Sequence, residues 1–117
     1  MSGSIRGSYV SKKTGASERY DSSYELRRFM ALDASPLVES WTKKHGIRIP
    51  YMERGKWRRY VPDILVVLRS GERILEEVKG KVFDRINFGR KNLAASGWCI
   101  THGMAFRVVF LERLDVV

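Results

Sequence analysis

The chain has 117 residues, 44% of them hydrophobic, and 22 Lys and Arg against 13 Asp and Glu. This length suits one domain with its own hydrophobic core, and the single cysteine, Cys99, excludes an internal disulfide and a cysteine-based zinc site. No stretch approaches the length of a membrane span and the N-terminus lacks an apolar signal segment, so we expect no membrane association and a cytoplasmic protein. The net charge of +9 favours an anionic partner, most often nucleic acid, although a basic structural protein with an acidic partner would show the same excess.

Residues 1–20 are rich in glycine and serine and carry Arg6, Lys12, Lys13 and Arg19. This composition predicts a flexible basic arm, with a short strand near residues 8–10. Phosphate contact and a simple disordered terminus are equally good interpretations of it. We therefore expect the folded domain to occupy residues 21–117.

The first helix is predicted over residues 21–33. Ser22 is a favourable N-cap, and Glu25 stands three residues later, as a capping box requires. Apolar residues at helical spacing, including Phe29, form a stripe along this segment, and Pro36 marks its end.

Residues 37–51 are predicted to form a strand, a turn and a second strand, and a tight turn at 53–56 then leads into Trp57-Arg58-Arg59-Tyr60. Arginines interleaved with aromatic residues suit DNA backbone contact with stacking, and an ordinary amphipathic strand is the alternative. A second helix is predicted over residues 84–98, capped by Asp84 and ended by Gly97, followed by a largely buried strand over 104–111. The basic residues of these segments are candidate phosphate contacts: Lys43, Lys44, Arg54, Lys56, Arg58, Arg59, Lys81, Arg85, Arg90 and Lys91.

The most informative stretch is 60–80, where two apolar, β-branched runs flank a short polar segment ending in glycine. A three-residue loop over 69–71 predicts a β-hairpin in which paired residue numbers sum to 140. This register sets Asp63 opposite Glu77, with Lys79 two residues farther along the same face. A two-residue loop would instead place Asp63 opposite Val78.

Two facing carboxylates repel each other, and a divalent cation between them removes the repulsion. Mg²⁺ is typically held by one or two carboxylates together with water and substrate phosphate. Lys79 would then stabilise phosphate charge or help to deprotonate the attacking water. The alternative is an ion pair of Lys79 with Asp63 or Glu77 at an exposed sheet end.

Pro62-Asp63, thirteen intervening residues and Glu77-Val78-Lys79 resemble the PD-(D/E)xK nuclease superfamily. The stretch from residue 20 to 79, about half of the chain, looks like the N-terminal domain of TnsA-type transposase endonucleases and like the head-completion nucleases of tailed phages. The resemblance implies an α/β fold with a restriction-endonuclease-like αβββαβ core, a mixed central sheet flanked by helices. It also implies that Glu25 is a further active-site acid.

From these observations we expect a Mg²⁺-dependent DNA endonuclease, with Mn²⁺ able to substitute. Its metal ligands would be Asp63, Glu77 and the carbonyl oxygen of Val78, and its catalytic residues Glu25, Asp63, Glu77 and Lys79. The chain length favours a stand-alone phage DNA-processing or head-completion nuclease, in the host cytoplasm or the virion. The alternatives are a TnsA-like transposase subunit, a Holliday-junction resolvase, a homing endonuclease, or a non-catalytic DNA-binding or virion protein. A homodimer, and a phage structural or transposase partner, are compatible with these functions.

Overall fold

The computed structural model describes residues 6–80 and 85–111, and within the second range it describes side chains from residue 89 onward. The elements in chain order are β1 Gly7–Val10, β2 Ser17–Tyr20, α1 Ser23–Ala34, β3 Val38–Thr42, β4 Ile49–Glu53, β5 Lys56–Tyr60, β6 Ile64–Leu68, β7 Arg73–Lys79, α2 Arg85–Thr101 and β8 Ala105–Phe110. Neither of these helices is long and apolar enough to cross a membrane. The N-cap expected from Asp84 and the phosphate contact expected from Lys81 lie outside the described residues.

A four-stranded mixed sheet in the order β3-β6-β7-β8 forms the centre of the fold. Strands β3, β6 and β7 pair antiparallel, and β8 pairs parallel to β7 after the chain passes through α2. Taken with α1, these elements reproduce the expected αβββαβ order. Strands β4 and β5 form a separate two-stranded sheet, so the strands predicted within 37–51 pair with different partners rather than with each other.

Strand β7 is central, and residues 74–78 are buried because both faces of the sheet are covered. On one face, a core that includes Phe29 and Leu32 of α1 packs with Trp41, Ile64 and Val66. On the other face, Leu75 packs with Ala95 and Cys99 of α2 and with the inward side chains of β4 and β5. Residue parity along β7 therefore decides which core each side chain enters.

The β6–β7 hairpin has the predicted register. The pairs run from Val67 with Arg73 to Ile64 with Glu76, each summing to 140. Gly71 closes the three-residue loop with a φ of +91°, a conformation that glycine adopts without steric cost. The loop chemistry is local, so the residues of the loop and its flanking strands are enough to specify the register.

Residues 7–20 differ from the flexible arm expected for this part of the chain, because they form the antiparallel β1–β2 hairpin. The hairpin is tied to α1 through the carboxylate of Asp33, which accepts hydrogen bonds from the Tyr9 hydroxyl (2.7 Å), the Ser11 hydroxyl (2.9 Å) and the Lys12 amide (2.7 Å). The indole of Trp41 donates to the same carboxylate at 2.7 Å. Burial alone would raise the pKa of Asp33, but these four donors outweigh it and hold that pKa below its ordinary value.

Helix α2 continues past Gly97 to Thr101, contrary to the predicted end. Its end is a Schellman motif, in which Gly103 has a φ of +69° and the Met104 amide donates to the Cys99 carbonyl at 2.8 Å. Gly97 lies within the helix because a glycine ends a helix only where a left-handed cap forms. The final strand was expected to be largely buried, but β8 is the edge of the sheet and Phe110 is 60% exposed.

Candidate active site

Asp63 lies immediately before β6, at the end of the sheet. Its amide donates to the Glu76 carbonyl at 2.9 Å, and its Oδ2 accepts a hydrogen bond from the Val78 amide at 2.7 Å. The side chain of Asp63 is thereby held against β7, beside the residue pair Glu77 and Val78. The hairpin ladder ends at the pair of Ile64 with Glu76, so Asp63 and Glu77 are the next residue on each strand, and the Glu77 charge acts on Asp63.

The environment of Asp63 favours its protonated form. Burial and the negative charge of Glu77 raise its pKa from an ordinary 3.8 to about 7, and the charge of Glu25 acts in the same direction. The Val78 amide and the Lys43 ammonium oppose this shift. A half-buried carboxylate that is destabilised by a second carboxylate is the arrangement that a bound cation would relieve.

Glu77 is held from two sides. The hydroxyl of Tyr60, at the end of β5, donates to its Oε1 at 2.6 Å, and the Lys79 ammonium lies 3.2 Å from its Oε2. Burial and the adjacent Glu77 charge raise the pKa of Tyr60, so the phenol stays protonated and acts as a donor. The ion pair that was the alternative explanation for Lys79 is therefore present, and it coexists with the Asp63–Glu77 pair.

Glu25 reaches the same site from α1 and also performs the capping role. Its amide donates to the Ser22 hydroxyl at 3.2 Å, and its Oε1 accepts from the Asp21 amide at 2.8 Å. The same oxygen lies 2.8 Å from the Lys43 ammonium. The Glu25 charge also raises the pKa of Asp63, after burial and the Glu77 charge.

Lys43, which was predicted to contact phosphate, has its ammonium between Glu25 and Asp21. Burial would lower its pKa, but the hydrogen bonds and charges of these two acids raise it. Its backbone is fixed by Glu18, a fully buried residue whose Oε1 accepts from the Lys43 amide at 3.0 Å. The lysine therefore brings a fixed positive charge to the rim of the acidic site.

Sequence reasoning missed Glu76, which is fully buried on the opposite face of β7 from Glu77. Arg28 of α1 makes a bidentate pair with its carboxylate at 2.8 and 2.7 Å, and Arg107 of β8 donates to its Oε2 at 2.8 Å. The alternation of side chains along β7 could have placed Glu76 against α1. Its two arginine partners could not be inferred, because they lie 48 and 31 residues away.

Tyr60 and the site role of Lys43 were also missed. Tyr60 ends an alternating strand, which is a signal for burial but not for a hydrogen bond to an acid seventeen residues later. The other candidate phosphate contacts lie on exposed surfaces: Lys44, Arg54, Lys56, Arg58, Arg59 and Arg90. Lys91 is half-buried, with its ammonium 5.7 Å from the centre of the Tyr60 ring. Arg85 is the first residue of α2, and its side chain lies outside the described part of the chain.

Asp63 and Glu77 are compatible with a Mg²⁺ or Mn²⁺ site completed by water and substrate. Within residues 6–80 and 85–111, no group of three or more His, Cys, Asp or Glu side chains could hold an ion on its own. Mg²⁺ does not need such a group, since it is usually bound through one or two carboxylates plus substrate phosphate oxygens. A cation fits this donor set because burial and the Glu77 charge both disfavour the ionised form of Asp63 and raise its pKa.

The fold and site together define a class of protein. A mixed four-stranded sheet with helices on both faces, carrying two acids on adjacent strands and a lysine two residues after the second acid, is a restriction-endonuclease-like core. Residues 35–110 match the model of the family described as TnsA-like endonuclease N terminal. The match covers more than half of the chain, and the protein belongs to this nuclease-type family. A search of curated proteins found no match.

Proposed function

We propose that the protein is a DNA endonuclease that depends on a divalent cation, with Mg²⁺ as the natural ion and Mn²⁺ as a substitute. The observation that carries the proposal is Asp63 at a half-buried sheet end, held against β7 by the Val78 amide at 2.7 Å, where burial and the Glu77 charge raise its pKa. The membership in a nuclease-type family supports the same reaction, and the net charge of +9 supports a polyanionic substrate.

Asp63 and Glu77 would hold the cation, together with the Val78 carbonyl oxygen. When bound, the ion would neutralise phosphate charge and lower the pKa of a water molecule. Tyr60 orients Glu77, and the Val78 amide orients Asp63, so both acids are fixed before substrate arrives. Such supporting hydrogen bonds commonly matter as much as the ligands themselves.

Lys79 lies beside Glu77 and would place its positive charge near the phosphoryl group that is attacked. Glu25 would act through Lys43, whose ammonium it holds at 2.8 Å, or directly on a water molecule at the rim of the site. The exposed basic residues of the β4–β5 hairpin, with Lys44 and Arg90, would contact the DNA backbone.

The pathway in which this enzyme acts is a narrower proposal. Phage DNA processing or head completion remains a prediction, as do junction resolution and homing. The match to TnsA-like endonucleases favours the alternative of a transposase endonuclease subunit that works with a protein partner.

The test is cleavage of supercoiled plasmid and of branched DNA with Mg²⁺, Mn²⁺ or EDTA. We expect wild-type cleavage only with metal, and its loss in Asp63→Ala and Lys79→Ala. Glu39→Ala, which removes an exposed acid on β3, is the matched control and should cut like wild type. Binding without cutting, equal in all four proteins, would instead establish a non-catalytic DNA-binding protein on a nuclease fold.

A further inference from the structure

The outward face of the β4–β5 hairpin carries an exposed aromatic side chain among basic residues. Alternate pairs of this hairpin point in opposite directions, and Ile49 with Tyr60 enters the core. The pairs of Met52 with Trp57 and Pro50 with Arg59 therefore share the outer face. Trp57 is 72% exposed and Met52 44% exposed.

The charge of this hairpin indicates what would cover that face. Arg59 lies on the outer face opposite Pro50, and residues 48–60 as a whole contain five basic residues and a single acid, Glu53, whose carboxylate pairs with Arg58 at 3.0 Å. An apolar protein partner is poorly matched to such a surface, whereas a polyanion with flat apolar rings matches both its charge and its indole. Single-stranded nucleic acid has this combination, since its bases stack on aromatic side chains while basic groups follow its phosphates.

The same strand also leads into the active site. Trp57 lies three residues before Tyr60, whose hydroxyl donates a hydrogen bond to Glu77. It lies six residues before Asp63. Six residues span at most about 20 Å of chain, a distance equal to about six base steps at 3.4 Å each. A nucleotide stacked on Trp57 and a phosphate at Asp63 can therefore belong to one DNA molecule.

We infer that the outer face of the β4–β5 hairpin is a stacking platform for an unpaired base of the DNA substrate. In a continuous duplex both faces of each base are already stacked, so a base at an end, flap, gap or junction can lie on Trp57 without the cost of unstacking and unpairing. The platform thus selects DNA that has unpaired bases near the cleavage point. This inference builds on the proposed nuclease function, because it names the substrate class of that site.

The test measures binding without cutting, in an Asp63→Asn background. Fluorescence anisotropy would compare a labelled continuous duplex with the same duplex carrying an unpaired flap. We expect Trp57→Ala to weaken binding of the flap substrate by about five- to a hundredfold, the usual effect of removing one stacking aromatic, with little change for the duplex. Trp57→Phe should retain most of the affinity, and Ile100→Ala, an equally exposed apolar residue on α2, should change neither.

A second measurement uses the fluorescence of Trp57 itself. Trp41 is 1% exposed and Trp98 is half-buried, so quenching by an added flap oligonucleotide should come mainly from Trp57 and disappear in Trp57→Phe. Equal losses of binding affinity for the flap and duplex substrates in Trp57→Ala would overturn the inference. A change of oligomeric state in Trp57→Ala, seen by light scattering, would overturn it too and assign the face to a second copy. If wild type binds flap DNA in preference to duplex but does not cleave DNA, the proposed nuclease function is wrong and the stacking platform stands.

Discussion

The hydroxyl of Tyr60 donates a 2.6 Å hydrogen bond to Oε1 of Glu77, joining the β4–β5 hairpin to the acidic pair of the central sheet. The bond is buried, and its donor and acceptor come from two separate sheets. The orientation of Glu77, a proposed metal ligand, therefore depends on how the β4–β5 hairpin packs against the central sheet.

Tyr60→Phe removes this hydrogen bond with little change in packing. We expect a stability loss of about 1.5–3 kcal/mol, the range for a hydrogen bond to a charged group. We also expect the Mg²⁺ concentration needed for half-maximal cleavage to rise about tenfold, as happens when a group that orients a metal ligand is removed. Plasmid cleavage at increasing Mg²⁺ measures this effect. Tyr51→Phe, a ring change in the same core, is the control, and an unaltered metal dependence would show that Glu77 does not need Tyr60.

Asp63 predicts how stability depends on pH. Its folded pKa of about 7 lies above the unfolded value near 3.8, so the folded state holds a proton that the unfolded state releases. Its contribution is fully present below about pH 4 and is lost as the pH rises to about 7. In EDTA, urea unfolding should therefore show wild type losing stability between these values relative to Asp63→Asn.

Addition of Mg²⁺ tests the same group from the other direction. Above pH 7 Asp63 is ionised, and an ion that binds only the folded state stabilises it by mass action. We expect Mg²⁺ to raise the melting temperature of wild type at pH 8 and to have little effect on Asp63→Asn. A parallel shift in both proteins would mean that the ion binds elsewhere.

Glu25 has a capping role and a proposed site role, and two substitutions separate them. Glu25→Gln keeps an oxygen that can accept from the Asp21 amide but removes the charge facing Lys43. We expect this variant to remain nearly as stable as wild type and to lose cleavage activity. Ser22→Ala removes the N-cap hydroxyl, and we expect it to cost about 1 kcal/mol while leaving activity intact. Full activity in Glu25→Gln would reduce this residue to a helix cap.

Glu76 and Glu77 are adjacent in sequence and should behave differently when neutralised. Glu76→Gln leaves Arg28 and Arg107 without their buried counter-charge, and breaking such a network typically costs about 3–5 kcal/mol. Glu77→Gln should abolish cleavage with a much smaller loss of stability, because it relieves repulsion with Asp63. Urea unfolding paired with plasmid cleavage distinguishes the two, with the exposed Glu72→Gln as a control expected to change neither.

Local sequence features predicted the elements of this fold where the responsible chemistry is also local. The helix cap at Ser22 and Glu25, the glycine of the β6–β7 loop and the alternation of the strands each act within a few residues. The register of the β6–β7 hairpin, which ends one residue short of Asp63 and Glu77, belongs to this group. The second helix was predicted with the wrong end, because two glycines were available and only Gly103 adopts the left-handed cap.

The N-terminal hairpin shows where local features fail. Its glycines and serines have the composition of a flexible segment, yet Asp33, more than twenty residues away, bonds three donors from Tyr9, Ser11 and Lys12. A half-buried carboxylate that accepts several hydrogen bonds provides the ordering free energy that the segment itself lacks. No periodicity within residues 1–20 reports that need.

By itself, the sequence determined the αβββαβ order and the register of the β6–β7 hairpin, because turn geometry and strand alternation follow from neighbouring residues. Only the tertiary structure decided which charges meet across elements. Glu25 with Lys43, Tyr60 with Glu77 and Glu76 with its two arginines are all contacts between residues far apart in the chain. The physical reason is that a hydrogen bond or ion pair requires a distance of about 3 Å, and packing of the helices and the hairpin on the sheet sets that distance.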